Sequence, residues 1–297
     1  MPNARITNAV RLEFAPVSLV QSNLSGAAFT GDWLWVAGDE ACGLDRLRRL
    51  DPMGREALRF GEVRDFPLAD LLDLPGTVEE EADLEGMAVA DGFLWVVGSH
   101  GLRRKNAKPG RDHAENAKRL GKVTLDGNRL VLACLPIELD ARGEPTLVRR
   151  ARDGRRALRL KGDSETNLLT RALADDPHFG PYMAIPGKDN GLDIEGLAVD
   201  GRRLLLGLRG PVLRGWSALL EIAVDALCDL PTTPSFAPRS PKPGQPGDEV
   251  QGTVALQRRR TRLTGCRSRG RRATGGAGAS CGSSFPNLSS RKLCFFL

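Results

Sequence analysis

Tyrosine is nearly absent from this chain, with one residue in 297, and histidine occurs only three times. Aromatic residues make up 5% of the total, too few to interleave with basic clusters in the way that a stacking surface for nucleic acid requires. No run approaches the roughly 18 apolar residues of a membrane helix, and the N-terminus has no apolar core followed by a small-residue cleavage site. A cytoplasmic protein without a membrane partner is therefore expected. Six cysteines stand singly at 42, 134, 228, 266, 281 and 294, without a C-x-x-C pair, which argues against both a disulfide framework and a zinc site. H-E-x-x-H, P-loop and Rossmann fingerprints are missing as well.

What is present is unevenly distributed. The net charge of +6 conceals two segments of opposite sign: residues 1–230 carry 31 basic against 35 acidic side chains, net −4, whereas residues 231–297 carry 12 against 2, net +10. The second segment is rich in Pro, then in Arg, Gly and Ser, with no apolar alternation, and is expected to be disordered. Its G-x-S-x-G match (278–282) has no strand before it and no helix after it, and its terminal Cys294-Phe295-Phe296-Leu297 resembles a prenylation box only in form. Specific nucleic-acid binding is not expected of the acidic body.

Residues 1–230 contain a repeat. SGAAFTGDWLWVAGDE (25–40) aligns without gaps to EGMAVADGFLWVVGSH (85–100), and with one deletion to EGLAVDGRRLLLGLRG (195–210). Each copy reads as a hairpin: a strand of small residues, a turn at Gly31-Asp32, Asp91-Gly92 or Asp200-Gly201, then a strongly apolar strand. Further strand-like text follows each hairpin, giving about four strands per unit, the content of a propeller blade. A less obvious unit is expected at about 130–185, around a hairpin turning at Asp153-Gly154. The fold class predicted is all-β, an incomplete β-propeller of four to five blades with one short helix; that helix is capped by Asp163 or Ser164 and stopped at Asp176-Pro177. A β-sandwich would also supply short strands, but not homologous hairpins at blade-like intervals.

With these residues in place the chain resembles the bacterial family called domain of unknown function 3616, related in pattern to phytase-like and esterase-like propellers. The matching segments are LSGAAFTGDWLWVAGDE, DLEGMAVADGFLWVVGSHG, RALADDPHFGPYMAIPGKDNGLDIEGLAVDG and LLLGLRGPVLRGWSALLEI, over residues 8–225. The resemblance implies a fold and no established activity. It also implies further strands after the GLRGPVLRGW region, where this chain instead turns to low-complexity text.

Two sets of residues can carry chemistry. Asp83 and Glu85, and Asp193 and Glu195, stand at i and i+2 at the start of two repeats, where blade-lining strands would bring them together; Ca²⁺ or Mg²⁺ would be their natural partner. The alternative is that each Glu accepts backbone N–H bonds and ties blades together. At the far end of the second strands stand Glu40, His100 and Arg209, candidates for catalysis, with Lys188, Asp189 and Arg214 as candidate ligand contacts and Asp39 and Ser99 nearby. His178 and His113 read as a loop packing residue and a solvated one. Two basic clusters, Arg103 to Arg111 and Arg149 to Arg159, read as solvated charge or as a steering surface for an anionic ligand. The function expected is a monomeric binding or scaffold module that holds a divalent cation and recognises a small anionic or peptide ligand. The alternative is a metal-assisted hydrolase of a phosphoester or carboxylic ester.

The 35 Arg against 8 Lys point to a GC-rich gene, and GC-rich DNA read out of frame yields largely Arg, Gly, Ala, Pro and Ser. A frameshift near Val250 is the expected origin of the basic segment. Translating the other two frames downstream of that codon should recover strand-patterned sequence in one of them; two patternless frames would contradict it.

Overall fold

The computed structural model describes residues 10–15, 18, 20–50 and 58–223, with three short strands beyond them. The chain divides into two compact units, Met1–Arg259 and Arg260–Leu297, and the second lies outside the described residues. The expectation of disorder for residues 231–297 falls there too, apart from those three strands.

The fold is mostly β, built of curled antiparallel meanders. The first sheet holds β1 (Val10–Leu12), β2 (Leu24–Thr30), β3 (Trp33–Gly38), β4 (Gly43–Leu50) and β5 (Leu58–Pro67) in the order β1-β5-β4-β3-β2, with β1 alone running parallel to its neighbour. The second is β6 (Leu84–Ala90), β7 (Phe93–Gly98) and, after a small ladder of β8 (Arg103–Arg104) with β9 (Val123–Thr124), β10 (Leu132–Leu139). Short β11 (Pro145–Leu147) and β12 (Leu158–Arg159) pair with the two ends of β10. The third sheet is β13 (Asp193–Asp200), β14 (Arg203–Gly210) and β15 (Trp216–Ala223). Beyond it lie β16 (Ser235–Phe236), β17 (Gln251–Gly252) and β18 (Val254–Arg258), and β18 completes a four-stranded meander by pairing with β15. That pairing carries the sheet past the expected boundary at residue 230.

Two expectations change in detail. The unit sought at about 130–185 supplies the outer strands of the second sheet, so three blade-like sheets are described. Among the described residues three helices are present where one was expected: α1 (Leu68–Leu71), α2 (His113–Leu120) and α3 (Leu168–Asp175). The cap of α3 is Asn167, whose side chain accepts from Thr170 N while Thr170 Oγ1 accepts from Asn167 N, a reciprocal capping box. Asp163, the expected cap, instead folds a turn upstream by accepting from Glu165 and Thr166 N–H groups. No helix among the described residues is long and apolar enough to cross a membrane.

The layers explain why the apolar runs differ. Successive strand residues point to opposite faces, and in WLWVAG and FLWVVG both faces are covered. Trp35 and Ala37 join Leu94 and Val96 in a core between the first two sheets; Trp95 and Val97 join Leu204, Leu206 and Leu208 in a core between the second and third. Leu34 and Val36 pack on the far side of the first sheet with Val20, Leu47 and Phe60. In β14 the described residues cover one face, and the strand alternates: Leu204, Leu206 and Leu208 are buried, whereas Leu205 is half-buried.

The first strands of the three meanders lie side by side, β6 between β2 and β13. Glycine makes this approach possible. A Cβ on Gly86 would sit 2.8 Å from Leu197 N and 2.9 Å from Leu197 Cβ, and one on Gly26 would meet Met87 Cγ at 3.0 Å. The equivalent Gly196 meets nothing closer than 3.9 Å among the described residues. Three identical letters therefore carry different constraints. Gly86→Ala should destabilise the fold by about 1–3 kcal/mol, because a strand backbone has to move. Gly26→Ala should cost less, since a methionine side chain can yield, and Gly196→Ala should stay within about 0.5 kcal/mol of the parent. Denaturant midpoints of the three variants check this order.

Candidate functional site

The three hairpins share an irregularity that places their functional side chains. Leu24 pairs with Gly38 but Gly26 with Ala37; Leu84 pairs with Gly98 but Gly86 with Val97; Ile194 pairs with Leu208 but Gly196 with Gly207. Ser25, Glu85 and Glu195 are thus each the extra residue of a β-bulge. A bulge leaves its residue out of the ladder and re-aims its side chain. Each hairpin closes through a two-residue turn, with Thr30 opposite Trp33, Ala90 opposite Phe93 and Asp200 opposite Arg203. The third copy therefore aligns without the deletion assumed from sequence, and its turn is Gly201-Arg202. Counted from the paired strands, Arg209 is level with Asp39 and Ser99, and Gly210 with Glu40 and His100.

This register brings Asp39, Asp83, Glu85, Asp193 and Glu195 into one electrostatic neighbourhood with Arg209. Arg209 binds both acids of β13: Nη2 to Asp193 Oδ2, and Nη1 to Glu195 Oε1 at 2.5 Å. Asp83, buried and held at a left-handed φ of 48°, is paired 2.6 Å from Arg129 Nη1 and accepts from Ser99. Arg129 is itself buried and also reaches Glu81 at 3.2 Å and Asp126 at 3.5 Å, while Arg103 binds Glu81 at 2.6 Å. Sequence inspection did not single out Arg129, and its only signal is an arginine flanking the apolar run that becomes β10.

Glu85 differs from its equivalents. Ser25 donates to the Leu84 carbonyl and Glu195 has Arg209, but Glu85 has no hydrogen-bond or ion-pair partner among the described residues. Burial, and then the charges of Asp83, Glu195, Asp193 and Asp39, push its pKa up to about 8. Burial raises Asp193 to about 6 against the opposing pull of Arg209, and raises Asp83 despite Arg129.

The four carboxylates expected to hold a cation are thus brought near one another, but Arg209 takes two and Arg129 a third. Among the described residues no three His, Cys, Asp or Glu side chains gather as metal ligands. Among the described residues no backbone N–H group donates to the side chain of Glu85 or Glu195.

The remaining candidates scatter. His100 is fully buried with φ 57°; its Nδ1–H donates to the Gly98 carbonyl at 2.9 Å and its Nε2 accepts from Asn167 Nδ2 at 2.9 Å. Burial lowers its pKa to about 4, so the ring is neutral and both nitrogens are engaged. This is the geometry of a core histidine tying β7 to the cap of α3. Glu40 is exposed at a strand end, and Arg214 is exposed in a turn. The Asp189 carboxylate is held 2.6 Å from Arg104. Lys188, by contrast, lines an open depression of about 390 Å³ together with Gly187, Asn190, Arg209 and Gly210. Arg209 belongs to both the depression and the carboxylate group.

Stacked meander sheets with bulged carboxylates where their inner strands meet define the class of protein by its architecture. The chain belongs to the family described as protein of unknown function (DUF3616), whose model matches residues 23–229. No curated protein and no solved structure matches it.

A carboxyl whose pKa is raised by folding binds its proton more tightly in the folded state. Its contribution is favourable at low pH and is lost as pH rises from the unfolded value near 4.5 to about 8. Glu85→Gln should therefore match the parent in stability below pH 4.5 and exceed it by about 2 kcal/mol at pH 9, after allowance for partial solvent screening. Thermal melts of both proteins across that range test this. The difference isolates Glu85 from Asp45, Asp83 and Asp193, whose values are also raised.

Proposed function

We propose that this protein is a binding module that receives a small carboxylate-bearing ligand in the depression beside β13 and β14, its acidic group between Lys188 and Arg209. The observation that carries the reading is the double position of Arg209, whose side chain is half-exposed to the depression while its guanidinium is anchored by Asp193 and Glu195. A guanidinium fixed by two carboxylates presents its free edge without loss of rotamer freedom. Lys188 adds a second cation that no described carboxylate neutralises.

A second reading, hydrolysis of an ester, draws on one observation: a carboxyl titrating near 8 is suited to proton transfer at neutral pH. In that reading Glu85 is the acid or base, and a divalent cation would have to bind in competition with Arg209 and Arg129.

Citrate, as a probe carboxylate, should bind saturably in isothermal titration. Lys188→Ala should weaken it about tenfold, as expected for loss of one charge-assisted contact, without shifting the melting temperature. Citrate binding that is indifferent to Lys188→Ala and Arg209→Gln would overturn the proposal. Ester hydrolysis lost on Glu85→Gln would favour the second reading.

A further inference from the structure

The arginine-rich hairpin that precedes β12 is not used by the site above, and most of its charge is accounted for. Arg149 binds Asp73 at 2.7 Å; Arg152 binds Glu138 at 3.3 Å; Arg155 binds Asp153 at 2.8 Å, and its guanidinium also donates to the Gly92 and Ile137 carbonyls. Arg159 donates to the carbonyls of Asp73, Leu160 and Gly162. Arg152 and Arg155 thus tie the hairpin to the second sheet, while Arg149 and Arg159 tie it to the segment after α1.

Arg150 and Arg156 are different. They face each other across the hairpin in an antiparallel bridge. The flanking bonds, Ala151 N to Arg155 O at 2.8 Å and Ala157 N to Arg149 O at 2.9 Å, make theirs the non-hydrogen-bonded kind of pair. In such pairs the Cα atoms approach to about 4.5 Å and the side chains leave the same face close together. Both residues are exposed, and neither has a hydrogen bond or an ion pair among the described residues. Like charges placed directly opposite one another destabilise a ladder. Four neighbouring arginines have found acceptors, so the two left facing each other are an uncompensated dication on a turn stiffened by the other four.

We propose that Arg150 and Arg156 form a clamp for a phosphate group, each guanidinium offering paired N–H donors to one tetrahedral dianion. A dianion between them turns the mutual repulsion into two attractions, and guanidinium geometry suits phosphate oxygens bidentately. A single-charge anion gains less, because it leaves one net positive charge on the pair. The site is separate from the Lys188–Arg209 depression and does not depend on its having a ligand.

The test uses the full chain, with inorganic phosphate as the probe against sodium chloride at matched ionic strength. Phosphate should bind the parent saturably in isothermal titration and raise its melting temperature. The double variant Arg150→Gln/Arg156→Gln should lose at least about tenfold in affinity, as expected when charge-assisted bonds are removed. In chloride alone the double variant should melt no lower than the parent, since both side chains are exposed and their repulsion is gone. Phosphate binding unchanged in the double variant, or absent from the parent, overturns the proposal. Binding that survives the double variant but is lost on Lys188→Ala assigns phosphate to the depression instead, and overturns the clamp while supporting the other site. Binding of a phosphoserine peptide more tightly than inorganic phosphate, with the same loss in the double variant, would support the clamp and identify the group as part of a larger partner.

Discussion

The close approach of β2, β6 and β13 is the constraint on which the rest depends. Gly86 lets the backbone of β13 come against β6, and Gly26 lets Met87 lie against β2. With the inner strands this near, the second sheet is covered on both faces, which is why FLWVVG is apolar at every position and Leu94, Val96 and Val97 are fully buried. The same approach brings the starts of the strands together. Acids that would be unremarkable on separate hairpins become neighbours, and the bulges at Glu85 and Glu195 set them out of their ladders.

Placing acids together in a partly buried place is costly unless they are paired or protonated. The fold uses both solutions. Arg209 serves Asp193 and Glu195 from within the third sheet, and Arg129 serves Asp83 from the turn that leads into β10, with Glu81 and Asp126 completing its surroundings. Glu85 is left to its proton. Without an arginine or any other hydrogen-bond partner among the described residues, Glu85 is distinguished from the other two bulged positions. A Ser at the first position and an Arg-bound Glu at the third are already satisfied.

Much of the framework was legible as text. The hairpins, the turns of the first two and the apolar second strands follow from period-two alternation and turn residues, and the small residues opening each copy mark where inner strands pack. The outer strands after residue 130 were harder, because β11 and β12 are two or three residues long and cannot show a period. α1 and α2 escaped for a similar reason: four residues give no periodicity, and α2 buries none of its side chains. The paired acids at 83, 85, 193 and 195 were visible, but their partners were not. Arg129 is 46 positions from Asp83, and no local pattern links them. The deletion assumed in the third copy also hid the equivalence of Arg209 with Asp39 and Ser99, which the strand register reveals. His100 stands at a strand end as a site residue would, and the Asn167 bond that holds it comes from a helix cap 67 residues away, beyond any local pattern.

The site depends on Glu85 being partly buried, and without a partner among the described residues, where the inner strands meet. A carbon-detected NMR titration of the glutamate side-chain carboxyls, with Glu85 assigned by its loss in Glu85→Gln, reads that state directly. A midpoint near 8 is the result expected from its burial among Asp83, Glu195, Asp193 and Asp39. A midpoint near 4.5, the ordinary value for a solvated glutamate, would mean that the strands do not enclose it, and would contradict the packing, the site and the function drawn from them.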